Sequence, residues 1–282
     1  MSAFSDLSVG NSTRGRVTNA IAMASQRTGM DFAYLLGQAK IESSLNPTAK
    51  AATSSAKGLY QFLDQSWLAV IDQHGSEYGL GWAADAIQRG SNGRYYVSDP
   101  TVRQQILDLR NHPETASVMA AEHASDNKAY LESRLGREAE SVDLYLAHFL
   151  GVGGATKFLA AYDANPYASA ASMFPSAAAA NRSIFYDKSG NPRSFADIRQ
   201  KFAAKLESGV ESALAGTGGG GSGWSAASAD IPAGQTVQPA DYVRVETERL
   251  QQSSQSLTED DLLRPQPATA RLAYLMLATF GR

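Results

Sequence analysis

The 282-residue chain has no cysteine. It therefore has no disulfide framework, no thiolate metal site and no thiol nucleophile. The absence leaves the compartment open, because cysteine-free chains occur on both sides of a membrane. Positive charge is not in excess either: 25 Lys and Arg stand against 28 Asp and Glu, a formal net charge of -3. No Lys/Arg stripe of the kind that neutralises phosphates is present, which argues against nucleic acid as a partner. No run of about 18 apolar residues occurs, so no segment reads as membrane-spanning. The opening stretch, MSAFSDLSVGNSTRGRV, lacks the basic and apolar regions of a secretory signal. A soluble chain is expected, exported, if at all, by a specialised route, within a virion, or by a leader missing from this sequence. The four histidines (74, 112, 123 and 148) show no paired ligand spacing such as H-E-x-x-H, so no metal is expected. No stretch alternates with period two, and no internal repeat is visible.

What remains is helical periodicity, in a chain long enough for one ordinary domain with appendages or for two small domains. Val17, Ala20, Ile21 and Ala24 mark a helix over 16–27, and Phe32, Leu35, Leu36 and Ala39 mark one over 31–44. A third is expected over 66–74, capped by Asp64 or Ser66. Asp99-Pro100 reads as cap and first position of a helix, and His112-Pro113 as the start of another that runs to about Leu135. Ser141 to Leu150 is a further helix, ended by GVGG, and Ser194 to Ala215 another. Asn92-Gly93, within RGSNGRYYVS, signals a hairpin. The class is all-α. By composition the chain divides into an N-terminal tail (1–14), a main helical domain (15–165), a helical extension (166–215), a Gly/Ser-rich flexible linker (216–240) and a C-terminal tail (241–282). The tail ends in the apolar RLAYLMLATF, which suits a segment that docks a protein partner.

One residue disturbs the pattern. In AKIESSLNP, Glu42 falls ten residues after Phe32 on the same apolar stripe, where a core residue belongs. A buried carboxylate is costly unless it is paired or used. Pro47 pushes Asn46 out of the α region, so the helix ends near 42–45 and Glu42 lies in its last turn. Burial and the negative end of the helix dipole both disfavour ionisation there. A glutamate protonated at unusually high pH is expected, as a general acid acting on a glycosidic oxygen requires. The plainer reading is a glutamate paired with an arginine at a helix end.

Glu42-Ser43 followed by Asn46-Pro47, then AKGLYQF (56–62), then LAHFLG (146–151) in a later helix, resembles the three-part signature of the lytic transglycosylase catalytic domain, of the goose-type lysozyme superfamily. The resemblance covers roughly residues 15–165 and implies a lysozyme-like helical domain acting on peptidoglycan glycan strands at the cell envelope, without a cofactor. It makes Glu42 the catalytic acid and base, and Ser43 a neighbour that fixes the helix end. Gly58, Leu59, Tyr60 and Gln61 match the family's glycine, leucine, methionine, glutamine run, whose turn lines the substrate groove. There Gly58 would let a sugar approach the backbone, Tyr60 would offer an aromatic face, and Gln61 a donor and an acceptor. Core packing is the competing reading of Tyr60 and Phe62.

The family's third motif, alanine, tyrosine, asparagine, alanine, glycine, stands here as Ala147, His148, Phe149, Leu150, Gly151. Its tyrosine is replaced by His148, or its role passes to Tyr145 one turn earlier; either could orient Glu42, and His148 could equally be a core histidine. The spacing of sixteen residues from Glu42 to Gly58 is one more than expected, so the family's loop serine maps onto Thr53, Ser54 or Ser55. Asp64 is better explained as a helix cap than as a second catalytic carboxylate. Glu122, on a partly apolar helix face, is the alternative. The expected activity is non-hydrolytic cleavage of the bond between N-acetylmuramic acid and N-acetylglucosamine, leaving a 1,6-anhydro end. The competing readings are a lysozyme-type hydrolase that activates water with Glu122 or an aspartate, and a glycan-binding or assembly module of a secretion, flagellar or phage apparatus.

Overall fold

The structure, a computed structural model, describes residues 3–215; the linker and C-terminal tail expected over 216–282 lie outside the described residues. The described chain is mostly α-helical. Its helices are α1 (Ala3–Thr28), α2 (Phe32–Ser43), α3 (Asp64–His74), α4 (Gly81–Ala86), α5 (Pro100–Asp108), α6 (Pro113–Leu135), α7 (Ser141–Leu150), α8 (Val152–Ala164), the short α9 (Ala170–Met173), α10 (Pro175–Ala180) and α11 (Arg182–Phe185), and α12 (Phe195–Ala215). The strands β1 (Gln88–Arg89) and β2 (Tyr95–Tyr96) pair antiparallel across the Asn92-Gly93 turn.

Caps written in the sequence set several of these ends. Asp31 accepts a hydrogen bond from Tyr34 N at the start of α2, and Asp99 accepts from Thr101 N and Val102 N ahead of Pro100. At the start of α12, Ser194 and Asp197 cap each other's backbone. Asp64 does not cap α3, whose N-cap is Leu63. Its carboxylate instead takes Arg103 Nη2 at 2.7 Å and Arg110 Nη1 at 2.9 Å, because two guanidiniums offer it more than one backbone N–H does. The expected N-terminal tail is helical from Ala3, as a helix already packed from Val17 onward extends at little cost per residue. GVGG ends α7 at Leu150 as expected, but a further helix, α8, begins within it at Val152.

One hydrophobic core runs from Val17 to Leu214, so 166–215 is not an appendage to a domain ending at 165. α12 lies along α2, where Gly37 and Gly209 bring the helices together. A Cβ on Gly209 would stand 3.0 Å from Gly37 O, and one on Gly37 would stand 2.9 Å from Leu206 and Val210 side-chain atoms. Trp67 of α3 is fully buried and donates its indole N–H to Ile106 O at 2.7 Å, which ties α3 to α5. α7 is oriented by Asp143, fully buried, which accepts from Arg137 at 2.8 Å and from Arg199 of α12 at 3.0 Å. Two forked cations on one buried carboxylate fix which face α7 turns toward α2. Among the described residues no helix is long and apolar enough to cross a membrane.

Candidate active site

Glu42 occupies the last turn of α2, and the chain beyond it is strained. Ser44 (φ 55) and Leu45 (φ 64) are both left-handed, and the helix closes with Ser44 N bonding Lys40 O and Leu45 N reaching Ala39 O. For residues that are not glycine each such conformation costs about 1–2 kcal/mol. The burial of Leu45 at 5 % exposure offsets part of that. The remaining non-glycine residue with positive φ among those described is Gln61 (φ 50), in the facing turn. Ser43 joins the two strained segments, its hydroxyl donating to Leu59 O at 2.8 Å and placed 3.0 Å from Ala39 O. Strain gathered on both sides of one carboxylate is characteristic of sites where position matters more than stability.

The turn over 58–61 serves the scaffold, and three sequence expectations are corrected here. Gly58 (φ +84) faces protein, not sugar: a Cβ there would stand 2.0 Å from Arg110 O. Leu59 and Tyr60 are buried, Tyr60 at 1 % exposure, so Tyr60 packs in the core and offers no face to a ligand. Gln61 spends its amide donors on Ala49 O and Gly58 O, bracing its own turn. Arg110, which sequence reasoning did not single out, is the staple. It is 4 % exposed and donates to Leu107 O, Ser55 O, Phe62 O and Asp64, all at 2.9 Å. The Ser54 and Ser55 hydroxyls accept from Ala56 N and Asp64 N.

On the other side of Glu42, α7 supplies both residues between which the sequence left the choice open. Tyr145 donates its hydroxyl to Glu42 Oε1 at 3.2 Å, and His148 Nε2 lies 3.4 Å from the same oxygen. The rings of Tyr145 and His148 stack at 6.0 Å with planes 17° apart. With Oε1 held twice, Oε2 has no protein partner among the described residues and is the oxygen left for a reacting group. His148 is not a core histidine, since its side chain is 29 % exposed, against 21 % for Glu42.

Three residues missed in the sequence complete the constellation. Gln38, one turn before Glu42 and 5 % exposed, sets its amide Nε2 at 3.2 Å from His148 Nδ1. Lys205 of α12 donates to the Tyr145 hydroxyl at 3.1 Å, and Phe202 packs against Tyr145 and Phe149. The i, i+4 spacing of Gln38 and Glu42 was a usable signal. Nothing local marks Lys205, whose partner is sixty residues away.

These neighbours reverse the expected ionisation of Glu42. Burial pushes its carboxyl up, but the hydrogen bond and charge of His148, the charge of Lys205 and the Tyr145 hydroxyl oppose it and prevail. Its pKa therefore lies below the ordinary glutamate value. The sequence displays burial and the helix dipole; the opposing groups arrive through tertiary structure. Glu122 belongs to a different cluster, accepting from the Tyr78 hydroxyl and lying 3.8 Å from His74, which bonds Asp126 at 2.9 Å. That bond and burial push the Tyr78 phenol up to about 12. Among the described residues no three His, Asp or Glu side chains are arranged to hold a metal ion. No protein-family model matches the chain.

Proposed function

We propose that the chain is a lytic transglycosylase that cleaves peptidoglycan between N-acetylmuramic acid and N-acetylglucosamine at the cell envelope. The observation that carries this reading is a single carboxyl at a strained helix end, fixed through one oxygen by Tyr145 and His148 and open at the other. In the first half-reaction protonated Glu42 gives its proton to the glycosidic oxygen as the bond to the muramic acid C1 breaks. Positive charge then develops at that oxocarbenium-like centre. In the second half the ionised Glu42 takes the proton of the C6 hydroxyl as that oxygen closes on C1. The 1,6-anhydro ring forms, Glu42 regains its proton, and no water is consumed. The neighbours that hold Glu42 ionised suit the second half. The covering of the carboxyl by a glycan, which removes solvent, favours the proton needed for the first.

A lysozyme-type hydrolase would need a second carboxylate across the sugar ring to activate water. Glu122, the alternative, is engaged with Tyr78 and His74. The test is Glu42→Gln on purified sacculi, followed by turbidity, with circular dichroism as a control for folding. The variant is expected to fold and to leave sacculi intact, while Glu122→Gln clears them. Substantial clearing by Glu42→Gln would remove the assignment, and no clearing by the wild type would favour a binding or assembly role.

A further inference from the structure

A carboxyl held ionised by its neighbours is a poor acid near neutrality, yet the proposed reaction begins with a proton on Glu42. The geometry around His148 offers a source. Its ring stands between two groups of opposite demand, the Glu42 carboxyl 3.4 Å from Nε2 and the Gln38 amide 3.2 Å from Nδ1. As placed, Gln38 Nε2–H donates to Nδ1, which leaves the imidazole proton on Nε2, the ring nitrogen 3.4 Å from Glu42 Oε1. A half-turn of the same amide presents its oxygen and accepts an Nδ1–H. Gln38 can therefore satisfy the ring with one proton or with two, and being 5 % exposed it has no solvent to replace that role.

We propose, on the transglycosylase reading given above, that Glu42 and His148 form one acid–base unit that shares a single exchangeable proton, and that this is the proton delivered to the glycosidic oxygen. With both protons on the ring, Glu42 is ionised and Gln38 turns its oxygen to Nδ1. When glycan covers the pair, charge separation becomes costly: the Nε2–H bond breaks, an O–H bond forms on Glu42 Oε1, a half-turn of the carboxyl carries that proton to the side left open to the glycan, and a neutral ring remains with its proton on Nδ1. His148 touches no reacting atom and is a positioning residue that acts through Glu42.

The groups facing the pair from the packed elements do not compete for this proton. The phenols of Tyr145 on α7 and Tyr34 on α2 are pushed far up, chiefly by burial. His123 of α6 is pushed down, chiefly by burial. Lys205 of α12 is a cation that donates to Tyr145. A pair of this kind titrates as a unit, so the loss of its last proton belongs to neither residue alone.

The test joins sacculus clearing across pH to 13C NMR of the Glu42 carboxyl, in the wild type and in His148→Tyr and His148→Asn. In the wild type the alkaline limb of activity is expected to follow the loss of the pair's last proton. The Glu42 signal should move in two steps, one at each end of the pair's titration. In His148→Tyr the limb should shift acidward by about one pH unit or more. The Glu42 signal in either variant should collapse to one step at higher pH than the first step in the wild type. A wild-type Glu42 signal with one step, or an unmoved limb in a His148→Tyr protein that still clears sacculi, would overturn the proposal and leave the transglycosylase reading standing. Two-step titration in a wild type that never clears sacculi would retain the shared proton and remove its delivery to a glycan.

Discussion

Gly58→Ala tests the contact on which the turn facing Glu42 depends. A Cβ built on Gly58 stands 2.0 Å from Arg110 O and 2.8 Å from the carbonyl carbon, where real Cβ atoms do not come within 3.0 Å. One backbone or the other must therefore move by about 1 Å, the difference between those distances. The left-handed backbone, at φ +84, adds about 1–2 kcal/mol for any residue with a Cβ. Displacement of a packed backbone adds about 1–3 kcal/mol. Loosening the bonds that Arg110 makes to Ser55 O, Phe62 O and Asp64 adds about 1.5–3 kcal/mol, the worth of a hydrogen bond to a charged group. The sum is about 4–8 kcal/mol. Gly136→Ala is the internal control, because Gly136 is also left-handed, at φ +67, but a Cβ there meets nothing within 4 Å. It should cost only the about 1–2 kcal/mol of the backbone. For a domain of this size each kcal/mol lowers the melting temperature by about 2–4 °C. Calorimetric melts at neutral pH should thus show Gly58→Ala lower by on the order of 10–30 °C and Gly136→Ala by a few degrees. Equal melting temperatures for the two variants would refute the close approach.

Three further outcomes follow from the site and its support. Because the folded pKa of Glu42 is depressed, its ionisation contributes stability that is fully present above the unfolded value and is lost as pH falls through the folded one. Melts of the wild type should therefore fall more steeply than those of Glu42→Gln as pH drops below 4.5, the ordinary value for glutamate; parallel curves would show that Glu42 is not held ionised. Deleting Phe195–Ala215 together with all that follows should abolish folding, since α12 packs along α2 and its Phe202 and Lys205 contact Tyr145. Deletion after Ala215 should leave sacculus clearing intact, and its loss would mean that the catalytic unit extends further.

The parts of the fold that were legible in the sequence are those with local causes. Asp99-Pro100 and His112-Pro113 placed α5 and α6, and Asn92-Gly93 placed the hairpin, because a cap or a turn acts within a few residues. Glu42 was legible because a carboxylate on an apolar stripe is anomalous in itself. Tyr145 and His148 were legible as alternatives, whereas the structure uses both, one turn apart on α7. The run from Gly58 to Gln61 was read with the wrong partner, since what stands against Gly58 is Arg110 O, more than fifty residues on and invisible to any pattern. The same limit hid Lys205 and Phe202 and misjudged the ionisation of Glu42, whose sign is decided by groups from α7 and α12. α8 was missed because GVGG reads as a break. Gly154 nonetheless sits inside the helix, a tolerable loss of about 1 kcal/mol where packing on the core supports it.

On the transglycosylase reading, Glu42 works alone on the glycan, as acid and then as base, with the C6 hydroxyl as nucleophile. With the acceptor already on the same sugar, proximity favours ring closure over attack by water. Mass spectrometry of the fragments released from peptidoglycan measures this directly. Termini lighter by one water than hydrolytic products are expected, unreactive to borohydride, with no rise in reducing ends during digestion. Termini reduced by borohydride at stoichiometric yield would contradict it, and would mean that a second group in the protein activates water.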